Sequence, residues 1–265
     1  MISRVLYEKC NQVAYITLNR PEKLNAMDEQ MHKELAVIWD DFEQDANIRV
    51  GVLRGAGSQA FSVGKDLNEL AQQQKDGTAS ESSFGSSGAA GWPRLTERFD
   101  RVKPLIAQVH GYALGGGFEL ALACDIILAA DNAQFALPEA RLGLIAGAGG
   151  LFRLTRQIPS RTALGYLLTG RSMTAQRAFE LGLINEVVAI DKMDDCVNSW
   201  VHDILRCAPL SVQAIMEVVA KSMTLPLDQA FAANYSWETV RKQSMDAKEG
   251  PRAFSEKRDP VWKGQ

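Results

Sequence analysis

Apolar residues along this chain fall into three patterns, and each specifies a different element. Val5-Leu6-Tyr7 and Val13-Ala14-Tyr15-Ile16-Thr17-Leu18 flank Cys10-Asn11-Gln12, and their β-branched and aromatic content predicts a β-hairpin. Asp28 is an N-cap for a helix that places Met31, Leu35, Ile38 and Phe42 on one face. Val50 to Gly55 then reads as a buried strand, so strand, helix and strand predict a parallel crossover. Leu105 to Val109 and Ile126 to Ala130 supply two more central strands. Beyond about residue 150 the pattern is almost wholly helical. Val212, Ile215, Met216 and Val219 form one apolar face, and Phe231, Tyr235 and Val240 suggest another helix. The prediction is an α/β core followed by a helical tail. Residues 72–93 are Gln-rich, then Ser/Gly/Ala-rich, closing at Trp92-Pro93, and predict a loop or lid.

One segment breaks the ordinary pattern. Between the third and fourth central strands the chain reads Gly111-Tyr-Ala-Leu-Gly-Gly-Gly-Phe-Glu119-Leu120, three glycines followed at once by a helix-favouring apolar run. Glycines leave the first amides of a helix uncovered, where unpaired N–H groups and the helix dipole favour negative charge. Three of them at a helix start cost up to about 1 kcal/mol each relative to alanine. Close packing on a sheet is one reason to keep them; an anion hole is another. Glu119, in the first turn, adds a potential acid or base beside that hole, the equipment for chemistry on a carbonyl or thioester.

Composition excludes more than it selects. The 265 residues are 46% hydrophobic and 23% charged, an ordinary globular balance. A net charge of −3 gives no general attraction for nucleic acid or an acidic membrane. Cys10, Cys124, Cys196 and Cys207 are far apart and form no CxxC, which predicts reduced thiols. The opening residues lack the apolar stretch of a signal peptide, and no apolar run approaches bilayer length. The expectation is a cytoplasmic protein with neither membrane nor nucleic-acid partner. GxSxG, GxxxxGK[ST] and HExxH are all absent, so serine hydrolysis, P-loop phosphoryl transfer and zinc chemistry lack support.

Three further segments carry chemistry-bearing residues. Phe61-Ser-Val-Gly64-Lys65-Asp66-Leu67 turns from a strand toward a helix and can expose the amide of Gly64 or Lys65, although glycine turns after strands are common. Glu139 in Phe135-Ala-Leu-Pro-Glu139-Ala-Arg-Leu-Gly143 follows a proline, which by itself is an ordinary helix-start signal. Gly147-Ala-Gly-Gly150 either aims a second set of amides or merely joins two elements. Of the histidines, His32 and His202 occupy polar-looking helix positions, and His110 ends the third strand without a nucleophile beside it.

In their order, these segments resemble the crotonase superfamily of enoyl-CoA hydratases and isomerases. The likeness runs from LNRPEKLNAM (Leu18 to Met27) through FSVGKDL, GYALGGGFELALACDI and FALPEARLG to LTGRSMTAQRAFELGLINEVV (Leu168 to Val188) and EGPRAFSEKRDPVWKG (Glu249 to Gly264). The last string, with GGGFELALA and NAQFALPEARLG, is most similar to the carnitinyl-CoA dehydratase (crotonobetainyl-CoA hydratase) branch.

The resemblance implies a spiral of ββα repeats over residues 1–195. It implies a helical region over 196–265 that builds trimers, or dimers of trimers. The substrate would be an acyl-CoA thioester, with no separate cofactor. The amides of Lys65 and Gly116 would form an oxyanion hole, and Glu119 and Glu139 would share a water. Lys23, Leu24, Ala26, Gly64, Asp66 and Leu67 would bind CoA, and Lys257 would reach its 3′-phosphate from a neighbouring subunit. The implied activity is that of a lyase adding water reversibly across the 2,3 double bond of an enoyl-CoA thioester; double-bond isomerisation and non-catalytic CoA or RNA binding are the alternatives, the acidic charge opposing RNA. One departure concerns the turn after Glu139, which carries Leu144-Ile-Ala-Gly-Ala-Gly-Gly150 where the family has a proline. Phe84 and Trp92 are candidates to close over the acyl group and to hold a trimethylammonium by cation–π contact.

Overall fold

After an opening hairpin, three successive strand pairs divide between two sheets, each pair followed by a helix. The computed structural model describes residues 3–79, 84 and 94–265. Contacts separate the chain into Met1–Arg98 with Leu105–Asn198, and Phe99–Pro104 with Ser199–Gln265.

In the first unit, β1 (Val5–Cys10) and β2 (Val13–Leu18) form the predicted antiparallel hairpin, turned by Asn11 and Gln12 at φ 50° and 69°. The two-residue turn with both φ positive matches the right-handed twist of the strands. After α1 (Glu29–Gln44), β3 (Val50–Gly55) and β4 (Ala60–Ser62) lead into α2 (Leu67–Lys75). β5 (Leu105–Val109) and β6 (Tyr112–Leu114) lead into α3 (Gly116–Ala123). β7 (Ile126–Ala130) and β8 (Gln134–Ala136) lead through a 3-10 turn at Glu139–Leu142 into α4 (Gly150–Gln157).

Of the pairs β3/β4, β5/β6 and β7/β8, the first strand joins a six-stranded sheet of order β1-β2-β3-β5-β7-β10, which also holds the β1–β2 hairpin, and the second joins a four-stranded sheet of order β4-β6-β8-β9. β2, β3, β5 and β7 run parallel, as do β4, β6 and β8, so the chain climbs as a ββα spiral. α5 (Ser160–Thr169), β9 (Met173–Thr174), α6 (Ala175–Glu180), β10 (Glu186–Val188) and the start of α7 (Met193–Arg206) complete the unit.

The core explains this arrangement. α1 buries Met31, Leu35, Ile38 and Phe42, the face its spacing predicts, together with Trp39. Asp28 caps it, its side chain accepting from the Met31 amide at 2.9 Å. Short parallel strands covered on both faces read as continuous apolar runs, and Val50, Val52, Leu53, Leu105, Ile106 and Leu128 are all fully buried. Phe118 of α3 packs against Phe135 of β8 with ring centroids 5.1 Å apart, which seats the glycine-led helix on the second sheet.

Three expectations need correction. β9 and β10 interrupt the region read as almost wholly helical; at two and three residues, neither is long enough to show a period. Residues 72–75 belong to the last turn of α2 rather than to a loop. In the second unit, α8 (Pro209–Ser222) buries Leu210, Ala214 and Glu217 instead of the face centred on Ile215 and Val219, which are 62% and 51% exposed. That face shifts because Glu217 is drawn inward. Its carboxylate accepts the Ser236 and Trp237 amides at 3.1 and 2.7 Å and caps α10 (Ser236–Gln243), which follows α9 (Leu227–Ala232). α11 (Asp246–Glu256) closes the chain.

Candidate active site

The site begins with the loop between β2 and α1, stitched to the turn after β4. Asn25 adopts φ 55°; its side chain accepts the Arg20 amide at 2.9 Å and donates to the Ala56 and Ala60 carbonyls at 2.9 and 2.8 Å. Arg20 is buried and donates to the Ala26 carbonyl at 2.9 Å and to Asp66 at 3.0 Å, with Asp28 3.3 Å away. Burial works against ionisation of Asp66, but the Arg20 bond and the amides of Glu69 and Asn68 outweigh it and hold the carboxyl below its usual range. The main chain completes the seam. Val63 donates to Leu24, Met27 to Gly64, and Asp66 to Met27, at 3.1, 2.7 and 2.9 Å. Since the Gly64 carbonyl and Asp66 amide both point at Met27, the intervening Lys65 amide faces the other way.

It faces the start of α3. Gly115 takes φ 52° and ψ −128°, a conformation essentially closed to residues with a side chain. A Cβ at Gly117 would run into the Ser62 carbonyl, and one at Gly64 would lie 2.5 Å from the Gly116 nitrogen. The glycines therefore serve backbone-to-backbone contact between this helix and the 62–65 turn. The ideal Cβ position of Gly116 is 3.6 Å from the Lys65 nitrogen. Among the described residues neither the Lys65 nor the Gly116 amide meets an acceptor. Two donors thus converge at one end of a cavity of about 580 Å³.

Both carboxylates line that cavity. Glu119 is 3% exposed, and its Oε1 accepts the Gly150 amide at 2.8 Å. Burial pushes its pKa up to about 7, the neighbouring Glu139 charge adds to the rise, and the Gly150 and Ala148 amides oppose it. Glu139 opens the 3-10 turn after β8. Its Oε1 lies 3.0 Å from where a Cβ on Gly115 would be, and its buried Oε2 has no partner among the described residues. Burial raises its pKa as well. Two protonatable carboxyls facing one chamber can divide acid and base roles between them.

Of the remaining candidates, Lys23, Ala26, Asp66 and Leu67 line the cavity, whereas Gly64 and Leu24 act behind it. Gly64 leaves the Gly116 amide uncovered, and Leu24 offers its carbonyl to Val63. Lys257 belongs to the second unit, as the left-handed cap of α11. Phe84 stacks on Phe152 at 5.5 Å between centroids; Trp92 lies outside the described residues. The Gly147–Gly150 turn aims its last amide at Glu119.

His32, Trp39 and Arg94 also line the cavity, and sequence reading missed all three. His32 sits next to Met31 on α1, so its turn toward a gap in the core is visible only once the neighbouring elements are in place. Among the described residues no cluster of His, Cys, Asp and Glu suits a metal ion, and no helix is long and apolar enough to cross a membrane.

Comparison with known proteins agrees with this geometry. Residues 8–265 match the enoyl-CoA hydratase/isomerase family model. A carnitinyl-CoA dehydratase of Citrobacter koseri is 42% identical over 254 residues, covering 94% of each chain, and that of Escherichia coli K12 is 42% identical over 256 residues with the same coverage. Enoyl-CoA hydratases from Mycobacterium marinum and Mycobacterium tuberculosis, 38% and 37% identical, superpose over the whole of both chains with TM-scores of 0.88 and 0.86. The chain belongs to the enoyl-CoA hydratase/isomerase family, the crotonase fold.

Proposed function

We propose that this protein is a hydro-lyase that adds water reversibly across the 2,3 double bond of an enoyl-CoA thioester. One observation carries the reading: Glu119 and Glu139 face a single cavity beside two main-chain amides that have no acceptor among the described residues.

The thioester oxygen accepts hydrogen bonds from the Lys65 and Gly116 amides. These bonds strengthen as the oxygen takes on enolate charge, and one such donor is worth about 3 kcal/mol. Ionised Glu119 removes a proton from water as its oxygen bonds to Cβ, and the electron pair of the double bond moves toward the thioester oxygen. Protonated Glu139 then gives its proton to Cα, and the proton held by Glu119 returns to Glu139 to restore the starting state. A Glu119 pKa near 7 suits this exchange at neutral pH.

The CoA moiety enters along the part of the cavity lined by Lys23, Ala26, Asp66 and Leu67. No further cofactor is required. We assign the second unit to self-association into trimers, singly or as dimers of trimers. Phe231, Phe254, Leu227 and Met223 there are 84%, 87%, 75% and 74% exposed within one chain, an apolar surface that association would cover. In such an assembly a neighbour's Lys257 would meet the CoA 3′-phosphate. Four free thiols fit a cytoplasmic setting.

The test is product analysis. Purified protein incubated with crotonyl-CoA should yield 3-hydroxybutyryl-CoA. Conversion of 3-enoyl-CoA to 2-enoyl-CoA, with no hydroxyacyl product from any 2-enoyl-CoA, would overturn the hydratase assignment in favour of isomerisation.

A further inference from the structure

The chamber that receives the acyl group has an unusual charge for a hydrocarbon site. Its walls include the apolar side chains Leu35, Trp39, Leu70 and Leu95, yet Lys65, His32 and Arg94 open into the same space from three different segments. Lys65 makes no hydrogen bond or ion pair among the described residues. Among the acidic groups, the charge of Glu69 acts on Lys65 and that of Glu119 on Arg94, but among the described residues none hydrogen-bonds the Lys65 ammonium. Both oxygens of Glu69 accept the Glu29 amide at 3.1 Å, Asp66 is held by Arg20, and Asp28 lies between Arg20 and Arg4. Burial and the Arg94 charge disfavour a proton on Lys65, and the Glu69 charge partly opposes them. Burial first, then the charges of Arg94 and Lys65, lower the His32 pKa to about 4, leaving it a neutral donor or acceptor.

An ammonium with no acid in hydrogen-bond contact, set in an apolar wall, gains from a ligand that supplies the opposite charge. The Lys65 side chain springs from the residue whose amide faces the thioester oxygen, so acyl atoms a few bonds beyond the carbonyl come within its reach. We propose that the chamber selects an enoyl thioester carrying a carboxylate at its far end, received by the Lys65 ammonium with His32 and Arg94 beside it, over uncharged and trimethylammonium counterparts. The proposal rests on the hydratase reading for the position of the thioester. It gives the acyl group a charge opposite to that of the carnitinyl substrates named for the relatives. A trimethylammonium would meet like charge on Lys65 and Arg94.

Three substrates that share the enoyl thioester and differ in the group on C4, a carboxylate, a methyl or a trimethylammonium, test this: glutaconyl-CoA, 2-pentenoyl-CoA and crotonobetainyl-CoA. The expected kcat/KM order is glutaconyl over pentenoyl by about 10-fold or more, with crotonobetainyl lowest, the scale of one partly buried charge-assisted hydrogen bond. Lys65→Met keeps the backbone amide and should collapse the glutaconyl-to-pentenoyl ratio about 10-fold, and Arg94→Gln should lower it in the same direction. Taking the ratio cancels any loss common to all substrates. Equal wild-type kcat/KM for glutaconyl-CoA and pentenoyl-CoA, or a crotonobetainyl preference, would overturn the proposal.

Binding of the unreactive glutaryl-CoA and valeryl-CoA, with free CoA as reference, adds a readout independent of catalysis. Preference for glutaryl-CoA in a protein that hydrates nothing would sustain the subsite while sinking the hydratase reading. Equal weakening of all three by Lys65→Met would assign the ammonium to the CoA phosphates and contradict the acyl-group assignment.

Discussion

A methyl group on Gly64 would lie 2.5 Å from the amide nitrogen of Gly116, and that contact decides whether two donors can share one oxygen. Gly64→Ala should therefore lower kcat for enoyl-CoA hydration by about 10²-fold, the cost of one oxyanion donor. Because Gly64 has φ +84°, the same change should destabilise the fold by roughly 1–3 kcal/mol. Gly182→Ala is the control. Gly182 has φ +70° with nothing within 4 Å of its Cβ position, so a thermal melt should show comparable strain while activity persists.

Glu119 links catalysis to pH. Its folded pKa of about 7 exceeds the ordinary 4.5, so the native protein keeps a proton that the unfolded chain releases between those values. Ionising Glu119 thus costs stability as pH rises through that window, by about 3 kcal/mol in full. Glu119→Gln can keep the bond from the Gly150 amide and removes the cost. In urea titrations the variant should gain stability over wild type at pH 8 and gain little or none at pH 4. The kcat/KM profile should lose its ionisation near neutrality.

Asn25 holds the loop that lines one side of the cavity. Asn25→Ala withdraws an acceptor from the Arg20 amide and leaves the Ala56 and Ala60 carbonyls without their donor. Denaturation should register a loss of about 2–4 kcal/mol, and KM for acyl-CoA should rise as Lys23 and Ala26 lose their placement. Asn25→Gly relieves the φ 55° backbone without restoring the bonds, and should recover only part of the stability.

In the second unit, Glu217 behaves in the opposite sense to Glu119. Burial opposes its ionisation, but Lys221, Ser236 and the Trp237 amide outweigh that and bring its pKa down to about 2. Its contribution is present above the usual carboxylate range and disappears as pH falls from about 4.5 toward 2. Glu217→Gln should accordingly lower the melting temperature at pH 7 and have a much smaller effect at pH 3.

Local chemistry was the legible part of this fold. Asp28 before an apolar face, the hairpin around Asn11-Gln12 and the glycines before Phe118 each declare themselves within a few residues, because caps, turns and close backbone approach are short-range demands. The amide-to-carboxylate bond from Gly150 to Glu119 was not legible, since it joins residues 31 positions apart through a glycine turn equally suited to a plain connection. Glu139 looked like an ordinary helix start for the same reason; only tertiary placement brings it to the cavity of Glu119. α8 misled because its spacing shows two apolar stripes, and the carboxylate of Glu217 determines which one turns inward. His32 and Arg94 carry no motif at all. Their position becomes meaningful only when the gap they line exists.

The most direct test of the account is the rate of crotonyl-CoA hydration by wild-type protein, Glu119→Gln and Glu139→Gln under identical conditions. The paired-carboxylate mechanism predicts turnover by the wild type and a loss of about 10²-fold or more in each variant, with both variants folded by circular dichroism. Hydration at the wild-type rate by either variant would contradict it.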